Sequence, residues 1–410
     1  MNISNKGKNT QVSTRVQPQK ETALGSGKVR SIKLGIDVHL SKYVVVRMIE
    51  GTTPQPPQRF SPEAFLVWAK KQLSLAEEVY SAYEAGPLGY GLHRELEQAG
   101  IRNVVVRPRD WDEYGKKVKT DKRDAKQLVL ALDRYLEGNR EAFSVVRVPQ
   151  PEEEQRRNRS RHRESLQRDK QRLAARGRGY GLYYGYRLKG EWWKPRAWGK
   201  LAGQLPAHLV SLLESLRRLL LPLEEELKSF DRELEAAAPA RLPVGLGKLT
   251  YEILEREVVN WHRFDNRRQV ASYTGMCPRE DSSAERRFQG AINKHGNPRL
   301  RPVLVETAWR FCLFQPEYRL VQKWGPRLRD PKATSSQRKK IMVAMARGFA
   351  VDWWRVRTGR CQAEALGLKL SGSGLEAAVP VEVAKAILSP LASVPTNGYK
   401  SNTYKTSRKG

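Results

Sequence analysis

The chain has 410 residues, 39% of them hydrophobic, with 75 Lys and Arg against 44 Asp and Glu. That length holds roughly two or three domains, each with a core of its own. The formal charge of +31 is too large for a typical small-molecule enzyme and points to a polyanionic partner, because each phosphate contact releases counterions; a solubility charge or a ribosome-type structural protein would give the same excess. Cys277, Cys312 and Cys361 form no CxxC pair, which argues against a zinc knuckle. Their odd number and the lack of a secretory leader point to a reducing, intracellular setting. No apolar run approaches the length of a membrane span.

Residues 1–30 are rich in Asn, Ser, Thr, Gln and Lys, have one acidic residue and no apolar periodicity; a disordered basic tail is expected. Lys33 to Val38 and Tyr43 to Ile49 read as two strands joined by a short turn. Ser61-Pro62-Glu63 starts a helix, with Ser61 as N-cap and Pro62 at its first position. Val79 to Glu84 is a further strand, Tyr90 to Ala99 a helix, Val104 to Val106 a strand, and Lys122 to Leu136 a helix. The alternation predicts an α/β sheet with one early hairpin.

Between Pro151 and Lys200 there are 15 Lys and Arg against 6 Asp and Glu. The first half reads as a polar helix. In the second, Arg176 and Arg178 interleave with Tyr180, Tyr183, Tyr184, Tyr186, Trp192, Trp193 and Trp198, a pattern that fits RNA contact by base stacking and Arg–phosphate pairing. A helical core is the alternative, against which the many glycines argue. Leu209, Leu213, Leu216, Leu220, Leu223, Leu227, Phe230 and Leu234 then alternate spacings of four and three, as in a coiled-coil seam or a bundle helix. Pro222 lies inside this register and is expected to kink or split it. A mainly helical domain follows, and the last residues form a basic tail.

Two constellations carry chemistry. Asp37 ends the first strand, Glu84 ends a later one, and Asp121 and Asp124 stand three apart at a helix start, sharing a face. Each alone has a structural explanation, such as favourable placement in a helix dipole. Together, in a basic protein, four carboxylates on an α/β pattern suit Mg²⁺ ions acting at a phosphodiester. The second constellation is Ser282-Ser283 amid Arg279, Arg286, Arg287, Lys294, Arg299 and Arg301. A serine hydroxyl among guanidiniums suits attack on phosphate. On the residues alone, a DNA-gripping loop is the better account, since no His stands nearby as a clear base. Upstream, Leu242 to Thr250 is a Gly-punctuated turn that looks like a helix-hairpin-helix element offering backbone amides to phosphate.

Two blocks of sequence resemble the DEDD transposases of the insertion-sequence 110 type, the bridge-RNA-guided recombinases. One is Gly-Ile-Asp-Val-His at 35–39 with Glu84 and Thr-Asp-Lys-Arg-Asp-Ala at 120–125. The other runs from Pro243 to Arg301, with Ser-Tyr-Thr-Gly-Met-Cys-Pro at 272–278 and Lys-His-Gly-Asn-Pro-Arg-Leu-Arg at 294–301. The resemblance implies that Asp37, Glu84, Asp121 and Asp124 are the Mg²⁺-binding quartet of a RuvC-like (RNase H-like) domain. It also implies a serine nucleophile, Ser283 with Ser282 as the alternate, that forms a phosphoserine link to DNA. Ala284-Glu285 stands where the family usually has Gly. The implied partners are element-end and target DNA, a guide (bridge) RNA, and further copies of the chain in a dimer or tetramer with composite active sites. The implied setting is the bacterial cytoplasm, at the nucleoid.

The expected layout is therefore a tail over 1–30, a RuvC-like α/β domain over 31–145 and a basic-aromatic and coiled-coil helical region over 146–240. A mainly α transposase domain with the serine follows over 241–365, then a tail over 366–410. Two other readings remain: a RuvC-like hydrolytic nuclease or junction resolvase that uses the same carboxylates with water, and a non-catalytic nucleic-acid-binding protein.

Overall fold

A computed structural model describes residues 27–108, 121–282 and 287–371, with the side chains at 281, 282 and 287 outside that description. The tail expected over 1–30 (all but its last four residues), Ser283, Arg286 and residues 372–410 lie outside the described residues. The chain divides into two units, Met1–Val148 and Pro149–Gly410.

In the first unit the elements are β1 (Val29–Val38), β2 (Tyr43–Ile49), β3 (Gln58–Phe60), α1 (Pro62–Leu75), β4 (Ala76–Glu84), α2 (Gly91–Gln98), β5 (Arg102–Val106) and α3 (Asp121–Leu136). Ser61 caps α1 as expected, its Oγ accepting from the Ala64 amide at 3.3 Å, with Pro62 behind it. The sheet order is β3-β2-β1-β4-β5. β1, β2 and β3 form an antiparallel meander, while β4 and β5 run parallel to β1. The short β3 lies after Pro54, Pro56 and Pro57, which hid it from periodicity.

Side chains alternate across β1. Ile32, Leu34 and Ile36 enter a core with Val79, Tyr83 and Val105 and with Phe65 and Ala69 of α1 and Leu92 and Leu96 of α2. The other face carries Lys33, Gly35 and Asp37, and there α3 packs, with Ala125 and Val129 against Val44, Val46 and Met48. At Gly35 the helix lies on the strand itself. A Cβ there would strike the Ala125 carbonyl and come within 2.5 Å of the Val129 amide nitrogen. Lys33 is buried on the same face and pairs with Asp133 in the later turns of α3. The helix thus runs back along β1, its C-terminal half over Lys33 and its first turn beside Asp37.

The second unit holds α4 (Pro151–Tyr183), α5 (Pro195–Leu201), α6 (Ala207–Ala237), α7 (Lys248–Val258), α8 (Arg267–Thr274), β6 (Pro278–Ser282), β7 (Arg287–Ile292), α9 (Leu300–Phe314), α10 (Arg319–Arg329) and α11 (Ser335–Arg357). α4 and α6 form an antiparallel hairpin, with Arg159 paired to Glu233, Arg163 to Asp231 at 2.7 Å and Lys170 to Glu224 at 3.3 Å. The leucine seam of α6 faces this hairpin, with one substitution: Leu223 is half-buried and Glu224 takes the buried place. Its carboxylate accepts from Trp193 Nε1 at 3.0 Å and meets Lys170 and Lys194. α6 is not split at Pro222 but runs through it; the seam packs on either side of the lost hydrogen bond, at Leu220 and Leu227.

The aromatic stretch corrects the sequence reading. Trp192 and Trp193 are 1% and 3% exposed and lie in a core with Ala174, Leu209 and Leu213, so neither ring offers a face to a base. The glycines counted against a core are what permit it. A Cβ at Gly177 would overlap the Trp192 ring, and one at Gly181 would reach Leu188 and the Tyr186 carbonyl at 2.8 Å. Tyr183, 82% exposed, and Tyr184 remain outside with Arg176.

The C-terminal helices enclose a core that extends to Leu366 and Leu368. The domain therefore runs past 365, because Leu370 bridges Pro243 and the Gln315 amide donates to the carbonyls of Val244 (2.8 Å) and Lys369 (2.9 Å). Among the described residues no helix is long and apolar enough to cross a membrane.

Gly35→Ala is expected to lower the stability of the first unit by ~1–3 kcal/mol in urea unfolding; an unchanged midpoint would contradict the close approach of α3.

Candidate carboxylate site and serine hairpin

Asp37 stands next to the C-terminal end of β1, and the approach of α3 brings Asp121 to it. Ligand atoms of Asp37, His39 and Asp121 lie within 4.8 Å of one another, the one such group of three among the described residues. His39 Nε2 is 3.1 Å from Asp37 Oδ2 and 3.7 Å from Asp121 Oδ2, and Lys42 Nζ is 3.5 Å from the latter. Burial pushes the Asp37 carboxyl above its ordinary range; His39 pulls it down, while the charges of Asp121 and Asp124 add to the rise. At Asp121 the small burial also acts upward, but His39 and Lys42 outweigh it and hold the carboxyl low.

The other two expected carboxylates are near but outside that group of three. Asp124 is one turn further along α3 and acts on Asp37 by charge. Glu84 ends β4 one residue past the Ile36–Tyr83 pair, level with Asp37 on the neighbouring parallel strand. His39 is the member that sequence reasoning quoted without a role. Its signal was the spacing of two, which puts it on the same side of the strand end as Asp37. The carboxylate oxygens of Asp37 and Asp121 fit a hard divalent cation such as Mg²⁺ or Mn²⁺, with His39 hydrogen-bonded to Asp37 beside them; a cation would offset the charges of Asp121 and Asp124 that add to the burial-driven rise at Asp37.

In the second unit β6 and β7 pair antiparallel, with Ser282 opposite Arg287. Ser283, the expected nucleophile, follows β6 and lies outside the described residues, as does Arg286; of Ser282 and Arg287 only the backbone is described. The hairpin base is held by two glycines. Gly275 ends α8 in the left-handed region at φ 65°, and a Cβ on Gly296 would sit 2.6 Å from the Thr274 carbonyl carbon. The Asn297 amide nitrogen donates to the Tyr273 carbonyl at 2.7 Å, and that of Lys294 to the Gly275 carbonyl at 3.1 Å.

Beneath the hairpin is a carboxylate that sequence reasoning missed. Glu257 on α7 is 1% exposed yet accepts two hydrogen bonds from Arg161 at 2.8 and 2.9 Å and one from Asn297 Nδ2 at 2.8 Å. Burial alone would raise its carboxyl, but these bonds and the nearby Arg299 hold it below its ordinary value. In the sequence Glu257 has the look of a solvated helix residue.

Arg299 and Arg301 are thereby reassigned. Arg299 donates to Glu164 at 2.7 Å and stands 3.9 Å from Glu257; Arg301 donates to the Lys294 carbonyl at 3.2 Å and reaches that of Gly296. Both guanidiniums brace the hairpin rather than stand free for phosphate. Arg279 and Lys294 are exposed. The turn before α7 is likewise part of the core, with Gly245 (φ 92°) lying against Phe311 and Phe314 and the Val244 amide taken by the Lys369 carbonyl at 2.9 Å.

A family model described as Transposase IS116/IS110/IS902 family matches residues 243–322, from that turn through the hairpin into α10. A Sinorhizobium fredii protein named "Putative transposase y4rJ" is 31% identical over 299 residues, 66% of this chain and 75% of its own length. The chain belongs to the IS116/IS110/IS902 transposase family. Two further relatives are similar: the transposase for insertion sequence element IS1533 of Leptospira borgpetersenii, 27% identical over 68% of this chain and 85% of its own length, and that for IS1111A of Coxiella burnetii, 30% identical over 25% of this chain and 30% of its own. The family match lies on the hairpin and its supports, while the carboxylate group lies outside it.

Because the Glu257 carboxyl is held below its unfolded value near 4.5, its stabilisation is complete above that pH and is lost as pH falls through the lower folded value. Glu257→Gln is expected to cost roughly 3 kcal/mol at pH 7, and the gap to the unaltered chain should narrow in urea unfolding series carried below that pH. A gap independent of pH would contradict the role of the ionised carboxylate.

Proposed function

We propose that this transposase-family chain is an RNA-guided DNA recombinase that cuts and rejoins strands through a phosphoserine intermediate, with a Mg²⁺-dependent carboxylate site in a RuvC-like (RNase H-like) N-terminal fold. The observation that carries the reading is the meeting of Asp37, His39 and Asp121 where the central strand ends and α3 begins. The sheet supports it: an antiparallel three-strand meander continued by two parallel strands, with helices on both faces, is a layout compatible with that fold class.

Bound Mg²⁺ supplies charge neutralisation at phosphoryl oxygens and a lowered pKa for oxygen nucleophiles. Asp37 and Asp121 are the residues to hold it, with Glu84 and Asp124 as further oxygen donors at the rim. His39 orients the Asp37 carboxylate through their hydrogen bond. In the serine step the Ser283 hydroxyl gives up its proton and its Oγ forms a bond to phosphorus, one P–O bond of the DNA strand breaks, and the departing oxygen takes up a proton. Arg279 and Lys294 offset charge on the phosphoryl group. Rejoining reverses these events with a different strand end. The guide RNA and the oligomer belong to the same reading: the family resemblance supports both, and the +31 charge supports the nucleic-acid partner.

The test uses the full chain purified with its bound RNA, given Mg²⁺ with labelled element-end and target DNA, then denatured and resolved for a protein–DNA adduct. The expected adduct disappears in Ser283→Ala and in Asp121→Asn. An adduct lost in Ser282→Ala but kept in Ser283→Ala moves the nucleophile by one residue. Cut DNA without any adduct would overturn the serine mechanism in favour of a hydrolytic nuclease.

A further inference from the structure

Away from the hairpin, α8, α10 and α11 enclose an open pocket of about 450 Å³. Six of its lining residues are cationic: Arg267 and Arg268 at the start of α8, Arg319 and Lys323 on α10, and Arg347 and Arg355 on α11. One carboxylate answers them. Asp352, fully buried, accepts from Arg319 Nε at 2.9 Å and from the Tyr318 hydroxyl at 2.8 Å, and is 3.5 Å from Arg355. Among the described residues Arg267, Arg268 and Arg347 have no acidic partner. The pocket therefore keeps a charge of about +5 in a concave wall, a placement that focuses field on whatever enters.

The remaining lining is apolar: Ala271, Leu320, Ala344, Gly348 and Val351, with Leu320 packed so closely on Gly348 that a Cβ there would come within 2.7 Å of its Cδ1. The cations are spread over three helices: Arg319 and Lys323 are one helical turn apart on α10, and Arg347 and Arg355 are about 12 Å apart along α11 by helical rise. A spread of that length exceeds one small anion and suits successive phosphates of a strand. Clustered unpaired arginines around an apolar lining are costly to folding through self-repulsion, so an anionic occupant accounts for them better than stability does.

We propose that the α8–α10–α11 pocket is a docking site for the phosphodiester backbone of a nucleic-acid strand, separate from the serine hairpin. The proposal rests on the nucleic-acid reading given above. Arg268 and Arg347, from different walls, close on the backbone, while Arg319 is held ready by Asp352. The contact is to phosphates and carries no base sequence. The shared chemistry is that of DNA and RNA alike, and the experiment separates the two.

The test is binding of the full chain to fluorescent single-stranded DNA, duplex DNA and RNA of mixed sequence over a range of salt concentrations. The double variant Arg268→Gln/Arg347→Gln is compared with Lys228→Gln/Arg232→Gln, an equal loss of charge on the exposed side of α6. The expected result is a slope of log K against log salt shallower by about 1–2 in the pocket variant, with the α6 variant unchanged. Arg268→Lys/Arg347→Lys should restore the slope, which a merely misfolded variant would not do. A change with DNA alone or with RNA alone supports the pocket and names its strand. Equal slopes in the pocket variant and the α6 variant would overturn it. Failure of the unaltered chain to bind any strand would instead overturn the functional reading on which it rests.

Discussion

The first turn of α3 reaches Asp37 because the helix can lie directly on the backbone of β1 at Gly35. A side chain at that position would collide with the Ala125 carbonyl and the Val129 amide. Close approach at one point fixes a line, and the Lys33–Asp133 pair fixes the second point further along. Between these two, the register of α3 along β1 is set, and with it the meeting of Asp121 and Asp37. Burying a carboxylate beside like charges is unfavourable: burial first, then the charges of Asp121 and Asp124, raises the Asp37 carboxyl. The packing of Ala125, Leu128, Val129 and Leu132 against the sheet offsets it.

The second unit solves a different problem, that of supporting a two-stranded hairpin, which is marginal by itself. Here the support is polar. Glu257 gathers Arg161 from α4 and Asn297 from the segment after β7, and the Tyr273 hydroxyl donates to the Glu257 carbonyl at 2.9 Å. The glycines at 275 and 296 let the two strand-flanking segments touch. The Lys-His-Gly-Asn-Pro-Arg-Leu-Arg segment is thus a brace, with Gly, Asn and both arginines each spoken for. The family match falls on this assembly.

Legibility in the sequence followed periodicity. β2 has the ends that its Tyr43–Ile49 apolar run gives, and the start of α1 follows from Ser61 and Pro62. Asp37 and Asp121 were readable because carboxylates stand out at a strand end and a helix start. His39 was harder, since an exposed imidazole beyond a strand has no pattern of its own. The tryptophans at 192 and 193 misled because Gly177 and Gly181 look like loop residues, whereas in α4 they are the slots into which Trp192 and Leu188 fit. Glu224 in place of Leu223 escaped for a similar reason: a buried carboxylate needs its partners, and Trp193 and Lys170 come from distant sequence. Glu257 and the cationic pocket share that property, being assembled from helices whose separate sequences look like solvated faces.

Direct measurement of cation binding bears most closely on the central claim. Mn²⁺ binding to the nucleic-acid-free full chain, followed by electron paramagnetic resonance, reads the site without any requirement for catalysis. Saturable binding that is lost in Asp37→Asn and weakened in His39→Ala, with the fold retained, is the predicted result. Binding of equal strength in the unaltered chain and in Asp37→Asn, or no saturable binding in either, would contradict the assignment of this cluster as a metal centre.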